Sequence, residues 1–120
     1  MDLRRSALKT MIAMAIVTVL VTVAIPIYNR ALTRSKESML KNNLFALRIV
    51  IQEYTHDEQE APETLEDLVR AGYLCEVPMD PVSAIANWKL DLIDQTKPGI
   101  FGVQSSSEKI SLEGTRYSDW

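Results

Sequence analysis

Seventeen consecutive residues, Met11 to Ile27, carry no charge and only two hydroxyls, Thr18 and Thr22, and this run limits what the chain can become. As a helix it measures about 25 Å, slightly short of a hydrocarbon core of about 30 Å. Adding Ala7, Leu8 and Lys9 makes it long enough, with the lysine stem along the span and its ammonium snorkelling to the near interface. A cleaved secretory signal would need a small-residue site after the apolar stretch, but Ile25, Pro26, Ile27 and Tyr28 stand there. The run therefore reads as a permanent membrane anchor whose lipid-facing body includes Met11, Ile12, Ile16, Val17, Val19, Leu20, Val21, Val23 and Ile25. Arg4, Arg5 and Lys9 precede it while Arg30, Arg34, Lys36 and Lys41 follow it, so charge bias alone leaves its orientation open.

The helical pattern does not stop at the span. Leu40, Leu44, Leu47, Ile51 and Tyr54 recur at steps of four, three, four and three, with Ile49 and Val50 widening the stripe. No Gly or Pro interrupts Tyr28 to Lys41, which predicts one continuous helix from about Ser6 to Tyr54. Pro26 lies inside it. Its missing N–H and its ring weaken the helix by ~3 kcal/mol or more at one turn, and the Thr22 hydroxyl is placed to re-satisfy the freed backbone group.

Beyond the helix, the polar and acidic stretch Thr55 to Glu63 is expected to end it. Thr64 should cap a two-turn helix, "LEDLVRA", stopped by Gly72. "VPMDP" is excluded from helix and from a central strand, because each proline holds its predecessor extended. Asn87 to Ile93 alternates with Trp88, Leu90 and Leu92 on one face, and Gly99 to Gln104 follows as a second strand. The expectation is an α+β fold in which two or three antiparallel strands cover the apolar stripe of the long helix. Residues 1–29 form the tip and transmembrane helix, and residues 30–120 the head.

Charge divides along the same boundary. Residues 1–50 carry eight Lys/Arg against two Asp/Glu, whereas residues 51–120 carry five against fourteen. An acidic head argues against nucleic acid as a partner. The acidic run Asp57 to Glu66 reads as a solvated face, with docking of a basic partner as the other reading. Cys75 is the only cysteine, which excludes an intrachain disulfide and suggests a small buried hydrophobe. His56 is the only histidine and reads as a polar residue at a helix end rather than as a base or metal ligand. "SSSEK", Ser105 to Lys109, lacks the glycine spacing of a nucleophile elbow or a phosphate loop. No catalytic residue and no cofactor is expected.

Taken together, the basic N-terminus, "AIPIYNRAL", "TLEDLVRAGYL", "VPMDP", a Trp-bearing strand and a terminal "YSDW" resemble the pseudopilins of bacterial type II secretion systems. The similarity is greatest to the major, G-type subunit, within the type IV pilin-like superfamily. The resemblance implies a type IV pilin-like fold and a non-enzymatic inner-membrane subunit with a cytoplasmic N-terminus and a periplasmic head. It implies assembly into a short filament with other pseudopilins and with inner-membrane platform proteins, after cleavage and methylation by a prepilin peptidase. In that family Pro26 would match the proline at which the helix loosens on packing. Calcium near the C-terminus is a family property, and Glu108, Glu113 and Asp119 are the local carboxylates here; the other reading is an acidic surface closed by a turn at Gly114. Tyr117 and Trp120 are expected to pack the tail onto the sheet.

Two departures bear on assembly. Aligned on Pro26, the cleavage point falls between Arg4 and Arg5, where the family has a glycine followed by an aromatic residue. Lys9 occupies the place of a glutamate thought to attract the N-terminal amine of a neighbouring subunit, and an ammonium facing an ammonium is repulsive in low dielectric. Two other readings therefore stand beside it: a minor or tip-like pseudopilin that needs no such contact, and an unprocessed, signal-anchored periplasmic binding or interaction module with a pilin-like fold.

Overall fold

The computed structural model describes residues 2–120, and the chain falls into two compact units, Met1–Arg34 and Ser35–Trp120. In chain order the elements are α1 (Asp2–Glu58), α2 (Leu65–Arg70), β1 (Lys89–Asp94), β2 (Lys97–Gln104) and a 3-10 turn at Tyr117–Asp119. This is an α+β layout with one long helix and a small antiparallel sheet.

Helix α1 runs for 57 residues and passes through Pro26, so it is longer at both ends than periodicity implied. Polar residues 55–58 stay helical because none of them is a breaker, and Thr55 returns its hydroxyl to the Ile51 carbonyl at 2.7 Å. The helix ends at Gln59, which takes a left-handed backbone with φ 58°. Asp2 in the first turn complements the helix dipole, whereas Asp57 and Glu58 in the last turn oppose it. The expectation for Thr22 is corrected: its hydroxyl donates to the Thr18 carbonyl at 2.7 Å, not to the group freed by Pro26. Back-bonding to the fourth residue before is the local geometry a helical threonine hydroxyl favours, and Thr10, Thr18 and Thr33 do the same.

In the head, the predicted stripe is the core. Leu40, Leu44, Leu47 and Ile51 are each no more than 2% exposed, and they meet Leu65, Leu68, Trp88, Ile100, Val103 and Tyr117. Each such aliphatic side chain contributes about 1.5–3 kcal/mol by leaving water. Tyr54 and Val50 pack at its margin, whereas Ile49 is exposed.

Helix α2 is short and closed at both ends. Thr64 Oγ1 accepts from Asp67 N–H, and Asp67 accepts from Thr64 N–H, a reciprocal capping box. At its other end Tyr73 N–H donates to the Leu68 carbonyl at 2.9 Å and Gly72 N–H to Val69 at 3.1 Å. With Gly72 at φ 86°, this is a Schellman stop in which a side chain would be strained. The turn sends Tyr73 and Leu74 against the core and leaves Cys75 exposed. The expectation of a buried Cys75 is thereby corrected.

Strands β1 and β2 form a hairpin whose turn is Gln95–Thr96, held by Asp94 Oδ1 accepting from Thr96 N–H at 2.9 Å. Register shifts lie between Asp91 and Leu92 and between Leu92 and Asp94, so β2 carries an extra residue at each. Simple alternation fails as a result: Trp88 is buried and Leu92 half-buried, but Leu90 is exposed. Phe101 sits in one bulge and points to solvent, while Gly99, at φ 147°, sits in the other.

One irregular segment is organised by a buried carboxyl group. Asp80 is fully buried; its Oδ1 accepts from Val82 N–H at 2.8 Å and its Oδ2 from the Ser105 hydroxyl at 2.5 Å. Its backbone N–H reaches the Ile85 carbonyl, and its carbonyl accepts from Ala84 N–H. The "VPMDP" stretch is in neither helix nor strand, and Trp88 Nε1–H donates to the Pro78 carbonyl at 2.8 Å.

Candidate functional site

Unit Met1–Arg34 presents one chemistry along most of its length. Met11, Ile12, Ile16, Val17, Val19, Leu20, Val21, Val23 and Ile25 are each at least half exposed, and none of the apolar window is buried. This is one helix long and apolar enough to cross a membrane, near the N-terminus. Leaving so many large apolar side chains in water is unfavourable by about 25 cal/mol per Å2, so the surface calls for lipid or protein around it. Arg4, Arg5 and Lys9 are exposed on the same helix, and no carboxylate lies within ion-pair distance of them among the described residues. Pro26 lies within the helical stretch.

The head offers a second surface, where the tail lies against α1. Arg48 is its centre: one guanidinium nitrogen, Nη2, donates to the Val103 carbonyl at 3.1 Å and to the Trp120 carbonyl at 2.7 Å. Glu37 Oε1 accepts from Leu112 N–H and from the Tyr117 hydroxyl, each at 2.8 Å. Burial and this bond to Glu37 push the Tyr117 phenol up to about 12. Lys41 stands 4.7 Å from the Trp120 ring centre and 3.7 Å from Glu113. Trp120 meets Tyr117 edge to face and donates from Nε1 to Thr115 Oγ1. The expected docking of the tail on the sheet holds, since the turn Tyr117–Asp119 lies against β2, and hydrogen bonds with Glu37 and Arg48 also fasten Tyr117 and Trp120 to α1. Beside them lies a groove of about 770 Å3 lined by Lys41, Phe45, Arg48, Ile110 and Trp120, among others.

Glu37, Arg48 and Asp80 were not singled out from sequence. A buried carboxylate and a bridging guanidinium look like solvated helix residues until partners 55 to 80 positions away are known. The only local signal was that Glu37 is the single acid between Asp2 and Glu53.

The remaining candidates are dispersed. No three His, Cys, Asp or Glu side chains are grouped as metal ligands among the described residues, and Glu108, Glu113 and Asp119 are not brought together. Glu113 instead pairs with Lys41, and Gly114, at φ 87°, closes the turn from Ser111 to Thr115. His56 is exposed in the last turn of α1, its backbone carbonyl accepting from the Gln59 amide. Of the "SSSEK" serines, Ser105 is committed to Asp80. The carboxylates of Asp57 to Glu66 are exposed, with Asp57 accepting from the Tyr73 hydroxyl; that bond and burial push the Tyr73 phenol up to about 12. No family model, curated protein or solved structure matches the chain.

Proposed function

We propose that the chain is a membrane-anchored structural subunit, a pseudopilin-like component of a type II secretion or related type IV pilus-like machine. Its type IV pilin-like fold would sit in the bacterial inner membrane, N-terminus cytoplasmic and head periplasmic. The observation that carries this reading is the division of labour along α1. One stretch is exposed and apolar with Pro26 inside it, and a later stretch is the spine of a small α+β head. Such subunits would pack through residues 11–27 with other pseudopilins and with inner-membrane platform proteins, and Pro26 is the turn at which the packed helix loosens. No step in this role needs a catalytic residue, and the proposal includes no bound cofactor.

Arg4, Arg5 and Lys9 favour a second reading, that of an unprocessed anchor carrying a periplasmic interaction module. Intact mass decides between the two. The full chain is extracted from membranes of cells that also express a prepilin peptidase. Loss of Met1 to Arg4, with or without a methyl group on Arg5, supports the filament subunit; an uncut chain supports the plain anchor. Exchange of Lys9 for Glu tests the electrostatic part: incorporation into filaments should rise, and unchanged incorporation removes repulsion at Lys9 from the account.

A further inference from the structure

The short stretch after the apolar run is more basic than its surroundings require. Tyr28 to Lys36 contains Arg30, Arg34 and Lys36 and no acid, and all three cations are exposed. Arg30 and Arg34 are one turn apart on α1, so their side chains leave the same helix face with Cβ atoms about 5–6 Å apart. The acid placed to neutralise them along the helix is Glu37, three residues beyond Arg34. That carboxylate is buried and already accepts from Leu112 N–H and the Tyr117 hydroxyl. The ion pairs among the described residues, Lys41–Glu113 and Arg70–Asp67, involve neither arginine.

Depth along the helix supplies the partner. Arg30 lies three residues past Ile27 and Arg34 seven, about 4.5 and 10 Å along the axis. The headgroup layer occupies roughly 5–7 Å on each side of the hydrocarbon, so the two guanidinium forks bracket the level of lipid phosphates. Tyr28, exposed between the apolar run and Arg30, has the amphipathic ring that favours this level. A guanidinium binds a phosphate oxygen pair bidentately, and two stacked forks favour a lipid whose phosphate charge is not offset by its own ammonium.

We propose that Arg30 and Arg34 form a binding site for the headgroup of an anionic phospholipid in the leaflet at that end of the span. The proposal rests on the reading of residues 11–27 as membrane-spanning. Lys36, two residues from Arg34 and on a different face, lies outside the site.

The test uses the full chain in phosphatidylcholine vesicles doped with spin-labelled phosphatidylglycerol or spin-labelled phosphatidylcholine. The motionally restricted fraction gives the relative association of each lipid. The expected preference for phosphatidylglycerol falls about fivefold in Arg34→Gln, falls again in Arg30→Gln with Arg34→Gln, and changes less than about twofold in Lys36→Gln. It also weakens as salt approaches 1 M. Insertion is read separately, by flotation with vesicles after alkaline extraction. A chain that stays in the vesicles and shows no phosphatidylglycerol preference overturns the lipid site alone. An equal loss in Lys36→Gln and Arg34→Gln also overturns it, leaving a diffuse basic collar. A chain that fails to float with the vesicles overturns the membrane reading and the site together.

Discussion

The bond between Glu37 and Tyr117 lends itself to a quantitative test. In Glu37→Ala the Leu112 N–H and the Tyr117 hydroxyl lose their shared acceptor where Glu37 is 7% and Tyr117 4% exposed. An unsatisfied buried group costs about 1–3 kcal/mol, which applies to the Tyr117 hydroxyl, whereas Leu112, 44% exposed, can turn its N–H to water; the change therefore costs about 1–4 kcal/mol, a large part of what stabilises a small domain. Glu37→Gln keeps an acceptor oxygen and gives up only the charge assistance, about 1–2 kcal/mol. Tyr117→Phe costs a similar amount, and the double change should cost less than the sum by about 1 kcal/mol. The assay is urea unfolding of the full chain in detergent, followed by tryptophan fluorescence, because Trp88 and Trp120 both lie in the head. The same bond has a pH signature. The Tyr117 phenol is raised from 10.0 to about 12 in the folded chain, so its contribution is fully present below pH 10 and is lost as pH rises through 12. Tyr117→Phe should flatten that part of the alkaline decline, leaving the part that Tyr73 causes in the same direction. A coupling below about 0.3 kcal/mol between the two sites would refute the reasoning, since that is the level of independent residues.

Three further outcomes follow from the geometry. Arg48→Met keeps much of the stem and removes both hydrogen bonds of Nη2, so the carbonyls of Val103 and Trp120 lose their donor. The head should lose about 2–3 kcal/mol, with hydrogen exchange rising first in residues 110–120. Pro26→Ala should restore the backbone bond to Thr22 and slow amide exchange across that turn, consistent with a gain of ~3 kcal/mol in local helix stability; unchanged exchange would show that Pro26 does not soften the helix. Cys75 is exposed, so a maleimide should label it fully in the native chain without denaturant, and protection from labelling would contradict its placement.

Much of the framework was legible because it is written locally. The stripe from Leu40 to Ile51, the Thr64 cap and the Gly72 stop are short-range signals, and each appears in the structure where its residues place it. The apolar run was legible as a candidate span for the same reason. The contacts that fix the head were not. Asp80 reaches Ser105 across 25 residues and Glu37 reaches Tyr117 across 80, and periodicity carries no information on pairs that distant. The β-hairpin failed in between: its strands were foreseen, but its bulges depend on β2 accommodating Phe101 and Gly99, which an alternation rule cannot express. Cys75 is exposed because it lies just beyond the Gly72 helix stop, a position that overrides the burial its residue type favours.

The sequence separation of the Glu37 and Arg48 contacts also sets an order in time. Glu37 and Arg48 belong to the long N-terminal helix, yet their acceptors and donors lie between Val103 and Trp120, separations of 55 to 80 residues. While the chain is being made, the apolar part of α1 is complete long before the partners of Glu37 exist. Leu40, Leu44, Leu47 and Ile51 then have no sheet or tail to cover them, and closing a loop of that length adds an entropic cost that only the finished contacts offset. The head must therefore remain open through most of its synthesis, its apolar stripe uncovered until the residues from Val103 to Trp120 have been made.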